Sequence, residues 1–144
     1  TRYGARAMLH LALRFDQGPT SSNEIAAEQK LSAKYLERLL SQLLGAGLVR
    51  SVRGAQGGYV LARPPDQITL LDIYDVLEGR DPLVECVAHP ELCSHYEACV
   101  TREVWARMHD ACTDILQSTR LSDLTSRHRC KESAHADNPT ATAP

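Results

Sequence analysis

Residues 31–63 read LSAKYLERLLSQLLGAGLVRSVRGAQGGYVLAR, and two periods follow one another inside that stretch. Up to residue 44 the apolar positions recur every three or four residues. Leu36, Leu39, Leu40, Leu43 and Leu44 make an inward stripe, Ser32 stands where a helix cap belongs, and Gly45 and Gly47 stop the helix. From Val49 the period drops to two. Val49–Arg53 and Tyr59–Ala62 alternate like strands, and the glycine-rich Gly54-Ala55-Gln56-Gly57-Gly58 between them is a hairpin turn. A helix running straight into a hairpin predicts a wing, with Arg53 at its tip.

Upstream, Ser21-Ser22-Asn23-Glu24 is a capping box opening a short helix with Ile25, Ala26 and Ala27 near its inner side. About three residues separate it from the striped helix, which is the spacing of a helix-turn-helix. The outward face of the second helix presents Lys34, Tyr35, Glu37, Arg38, Ser41 and Gln42, and the hairpin adds Arg50 and Arg53. Such a polar set can reach base edges and phosphates, so double-stranded DNA is the expected partner. The bland alternative, a solvated helix face, does not account for the wing that follows. Tyr3, Met8, Leu9, Leu11, Ala12, Leu13 and Phe15 put a broad apolar face on a first helix ending before Gly18-Pro19. That helix starts without a cap before Thr1, so a few upstream residues are expected. Pro64-Pro65 closes the hairpin, and Thr69 caps a helix of Leu70, Leu71, Ile73, Val76 and Leu77 that stops at Gly79.

The charge distribution agrees with that partner. Over 144 residues the net charge is -2, yet residues 1–65 carry nine Lys/Arg against four Asp/Glu and the remainder seven against fourteen. The basic half is the one that would meet phosphate. No signal peptide or twenty-residue apolar run is legible, so a cytoplasmic protein without membrane contact is expected. Asp72, Asp75 and Glu78 lie on the outer side of an amphipathic helix with no histidine or serine partner nearby, and an enzyme is not expected.

Downstream, Cys86, Cys93 and Cys99 fall within one short loop-like segment. In a reducing compartment bunched thiols point to ligands or redox chemistry rather than disulfides. Thiolates are the ligands that iron-sulfur clusters select, and the spacing is wider than the CxxC pairs of zinc fingers. His89 and His95 are the nearest imidazoles. A long helix follows from about residue 100 to about residue 118, where Trp105, Met108, Cys112 and Ile115 form an a/d seam and predict a homodimer. From about Arg127 the chain is polar without periodicity and is expected to be disordered. The mainly α chain therefore divides into a winged helix-turn-helix domain (1–80), a cysteine-rich loop (81–100), a dimerisation helix with one further turn (101–126) and a tail (127–144).

YGARAMLHLA, the 31–63 stretch and the three cysteines followed by VTREVW resemble the IscR/NsrR type of winged-helix regulator, the Rrf-two family, over roughly residues 1–125. The resemblance implies a homodimeric transcriptional repressor or activator on a pseudo-palindromic operator. It also implies a redox-sensing iron-sulfur cluster, commonly 2Fe-2S, held by three cysteines and one further ligand. Cys86, Cys93 and Cys99 match the thiolates, Glu37 an operator-discriminating carboxylate, and Arg53 a wing arginine for the minor groove. Two departures stand out. The first cysteine interval holds six residues where five is usual, and the histidine ligand of the IscR branch is Arg102 here, while the acidic ligand of the NsrR branch falls near Arg2. The fourth ligand is left open, with His95 and His89 as candidates. A metal-free or zinc-bound thiol switch controlled through a protein partner is the alternative.

Overall fold

The computed structural model describes residues 1–54, 56–80 and 84–136. Helices α1 (Arg2–Leu13), α2 (Ser22–Gln29) and α3 (Ala33–Gly45) lead into strands β1 (Val49–Val52) and β2 (Gly58–Leu61). Helices α4 (Leu70–Glu78), α5 (Glu85–Ala88), α6 (Val100–Ser118) and α7 (Leu121–Ala136) follow. The expected mainly helical winged architecture is what forms.

Local chemistry explains the boundaries. Ser21 Oγ accepts from the Glu24 amide at 3.2 Å, and Ser32 Oγ from the Tyr35 amide at 3.3 Å, each satisfying a donor that a helix start leaves free. The predicted capping box at Ser21 is only half built, because the Glu24 carboxylate pairs with Arg14 instead. A complete one stands at α4, where Asp72 N donates to Thr69 Oγ1 at 3.1 Å and Thr69 N to Asp72 Oδ2 at 2.9 Å. Between α2 and α3, Lys30 takes the left-handed conformation (φ 54°) and turns the chain in three residues.

One core unites the elements. Ala7, Met8 and Leu11 of α1, Ile25 of α2, Leu36, Leu40 and Leu43 of α3, Val49 and Leu61 of the hairpin, Ile73 of α4 and Leu121 of α7 are all buried together. Each such aliphatic side chain contributes about 1.5–3 kcal/mol by leaving water. Gly4 brings α1 against α4, since a Cβ there would stand 2.1 Å from Leu77 Cδ1. The hairpin pairs antiparallel, Val49 opposite Leu61 and Val52 opposite Gly58. The free edge of β2 also pairs with Thr20, through Thr20 N to Tyr59 O (3.1 Å) and Tyr59 N to Thr20 O (2.8 Å).

Two expectations need correction. Leu44 is 39% exposed and leaves the stripe, because the helix has already turned it past the core. Residues 127–136 are helical rather than disordered. Helix α7 is nucleated by tertiary contacts: Leu121 is buried, Leu70 N donates to Thr119 O at 2.9 Å, and Leu121 N donates to Ile68 O at 3.0 Å. Once a first turn is fixed, each added residue gains a backbone bond at little further entropy, so a polar sequence can continue the helix. His128 and Glu132, one turn apart at 3.4 Å, support it. Residues 137–144 of the expected tail lie outside the described residues.

Helix α6 has no buried residue. Arg102, Ala106, His109, Thr113 and Leu116 form its half-buried side, and the helix packs on α4 and α5. Among the described residues no helix is long and apolar enough to cross a membrane.

Candidate nucleic-acid interface and cysteine segment

The stripe that buries Leu36, Leu39, Leu40 and Leu43 forces the other side of α3 outward, and Lys34, Tyr35, Glu37, Arg38, Ser41 and Gln42 are all exposed. Arg50 and Arg53 of the hairpin are exposed as well. Ser22 Oγ donates to Glu37 Oε1 at 3.4 Å, so the carboxylate is held from the start of α2.

The structure adds neighbours that the sequence reading missed. Tyr3 meets Tyr35 edge-on, ring centroids 6.0 Å apart. The guanidinium of Arg2 lies 4.6 Å from the Tyr3 ring and that of Arg6 5.9 Å, each a cation over an aromatic face. The start of α1 thus widens the basic face beside α3. The available signal was the pair Arg2 and Arg6 flanking Tyr3, but helical periodicity alone does not say which helix α1 abuts.

Replacing Lys34 or Arg38 by Ala should weaken binding to every DNA sequence and make the log-log salt dependence shallower by about one unit, because each lost phosphate contact releases one counterion fewer. Glu37→Ala should behave differently. A carboxylate near phosphates is repelled unless it accepts from a cytosine amino group, so its loss should relax operator choice. Competition titrations on variant operators check this, and equal losses on all of them would count against the role.

All five cysteines are free. The expected loop is built of single helical turns. Cys86 lies in α5, Cys93 follows the 3-10 turn Pro90–Leu92, and Cys99 sits at the start of α6 after the turn Tyr96–Ala98. These three are half-buried, while Cys112 and Cys130 are exposed. Among the described residues no three His, Cys, Asp or Glu side chains come together as a metal site. The thiols therefore suit an iron-sulfur cluster in kind but not in placement. Of the candidate fourth ligands, His89 is exposed and its Nδ1 lies 3.2 Å from Glu91 Oε1, and His95 is exposed. Arg102, at the departed ligand position, lies over the Tyr96 ring at 4.2 Å.

Cys99 is the activated thiol. Its Sγ lies 3.2 Å from Thr101 Oγ1, and the hydrogen bond from that hydroxyl, joined by the Arg102 amide, holds its pKa below the ordinary thiol value. At neutral pH Cys99 should alkylate ahead of Cys86 and Cys93, and Thr101→Val should slow it a few-fold. Mass spectrometry after brief iodoacetamide treatment reads both.

The seam residues Trp105, Met108, Cys112 and Ile115 face outward from α6. They form an apolar row with Val100 and Val104, which are 75% and 59% exposed.

Comparison with known proteins places this geometry. Residues 1–127 match the family model Rrf2, described as an iron-dependent transcriptional regulator. The chain is 47% identical over 125 residues to the HTH-type transcriptional regulator CymR of Bacillus subtilis, covering 87% of this chain and 86% of that protein. The solved structure of CymR, the global cysteine regulator of B. subtilis, superposes with a TM-score of 0.76, covering 88% of this chain and 92% of that one. T. potens IscR superposes with a TM-score of 0.71 at 38% identity, covering 99% of this chain and 88% of that one.

Proposed function

Because the chain belongs to the Rrf2 family of transcriptional regulators, and is a regulator rather than an enzyme, we propose that it acts as a homodimer on a pseudo-palindromic operator. Helix α3 enters the major groove and the hairpin around Arg53 the minor groove. The observation that carries this is the wholly exposed polar face of α3 beside the hairpin, on the basic half of the chain. The apolar row on α6 supports the dimer. Selection from a library of genomic DNA fragments is the test: an enriched inverted repeat is expected, and purely sequence-independent binding would overturn the reading.

The input of this regulator is the segment carrying Cys86, Cys93 and Cys99. An iron-sulfur cluster, 2Fe-2S by family resemblance, is the finer reading, supported by three thiols on one short segment and by the likeness to IscR over nearly the whole chain. Such a group supplies a redox-labile tie between thiolates. A metal-free thiol switch is the second reading, favoured by the unconverged thiols and by the likeness to CymR, the global cysteine regulator of B. subtilis. Iron, sulfide and the visible spectrum of anaerobically purified protein separate them. Cluster content lost in Cys93→Ala and kept in Cys112→Ala supports the first; colourless wild-type protein supports the second.

A further inference from the structure

Residues 6, 10 and 14 lie one turn apart at the side of α1 that meets α2, and each reaches a side chain there. Arg14 pairs with the Glu24 carboxylate, and His10 Nδ1 lies 3.0 Å from Glu28 Oε2. The third bridge is of another kind. Arg6 Nε donates to Gln29 Oε1 at 2.8 Å, and an amide oxygen orients a guanidinium without neutralising it.

The same guanidinium lies 5.9 Å from the centre of the Tyr3 ring. Held at Nε and against an aromatic face, it has given up much of the freedom of an exposed arginine before any ligand arrives. Its two terminal nitrogens have no partner among the described residues. Arg2 adds a second guanidinium 4.6 Å from the Tyr3 ring, with Nη2 donating to Tyr3 Oη at 2.7 Å. Helix α1 carries no acidic residue, and both carboxylates of α2 are engaged by Arg14 and His10. Two oriented cations thus share one ring, and among the described residues neither has a carboxylate within ion-pair distance, unlike Arg14, Arg63 and Arg80.

The place of this pair selects the anion. Tyr3 meets Tyr35, the third residue of α3. In a helix-turn-helix the first residues of the second helix stand at base edges, so side chains packed beside them stand at the rim of the groove, where the phosphates run. Arg2 and Arg6 are exposed. A small free anion would find no enclosing wall there, whereas DNA held by α3 brings its backbone to that rim.

We propose that Arg6, with Arg2 beside it, grips a backbone phosphodiester at the edge of the major groove that α3 enters. Helix α1 is then a third DNA-contacting element, and Gln29 and Tyr3 are positioning residues. The terminal nitrogens of Arg6 can donate in parallel to two phosphate oxygens, at a small ordering cost because the group is already held. The proposal deepens the regulator reading and rests on it.

The test titrates the full chain with the inverted repeat enriched from genomic fragments, each backbone phosphate replaced in turn by an uncharged methylphosphonate. On the natural backbone Arg6→Ala should weaken binding about tenfold and Gln29→Ala about threefold. The log-log salt dependence of Arg6→Ala should be shallower by about one unit per bound protomer. At one phosphate, or two adjacent ones, in each half-site the methylphosphonate should cost wild-type protein about tenfold and Arg6→Ala nothing further. Lys34→Ala, on α3, is the control and should couple to a different phosphate. Arg6→Ala binding as tightly as wild type, or losing equally at every methylphosphonate while Lys34→Ala shows a localised coupling, would overturn the clamp and leave the regulator reading standing. Wild-type protein that prefers no operator would overturn the regulator reading, and the clamp with it.

Discussion

With lysine at both Met108 and Ile115, the protein should sediment as a monomer and lose operator affinity by at least about a hundredfold, since two recognition helices no longer act from one body. In the isolated chain these side chains are 38% and 63% exposed, and α6 buries nothing. The substitutions therefore leave the fold of the chain unstrained, and circular dichroism should be unchanged. In a seam between two copies of α6, the same ammonium groups would be desolvated without partners, at a cost of several kcal/mol each. The contrast between an intact chain and a lost dimer is the diagnostic. A dimer that survived both lysines would move the interface away from α6.

Gly58→Val should cost about 2–3 kcal/mol, as overpacking against rigid backbone does, and lower the melting temperature by roughly 6–9 °C at roughly 3 °C per kcal/mol for a chain of this size. A Cβ at residue 58 would stand 2.3 Å from Thr20 O, 2.5 Å from Thr20 C and 2.9 Å from Ser21 N. Those atoms are backbone, and Ser21 is the cap of α2. The clash can only be relieved by lifting the wing from the start of the helix-turn-helix. DNA affinity should fall along with stability. A thermal melt within 1–2 °C of wild type, about the effect of an ordinary surface change, would show that the contact between Thr20 and the hairpin is dispensable.

The winged helix-turn-helix was legible because its cues are local. The leucine stripe of 36, 39, 40 and 43, the serine caps at 21 and 32, the threonine cap at 69 and the switch to period two at Val49 each depend on residues within one or two turns. A three-residue link then leaves little choice of topology, so the outward set Lys34 to Gln42 followed directly. The long helix was legible for the same reason, and its observed span Val100–Ser118 agrees with the periodicity.

What the sequence did not determine depends on which distant surfaces meet. The polar residues 127–136 carry no apolar period, and they are helical because Leu121 is buried against the core of α1 to α4, tens of residues away. Glu24 has the right spacing to complete a capping box, but Arg14 of the preceding segment competes for it and wins. His10 sits among apolar neighbours in α1, and only the packing of α2 gives it Glu28 on one nitrogen while the other has no partner. The three cysteines show the limit most clearly. Their nearness along the chain is fixed by sequence, but whether they converge is a tertiary matter, and among the described residues no three such ligands come together as a metal site. Local periodicity determines which face a residue takes, and tertiary packing alone decides what that face will touch.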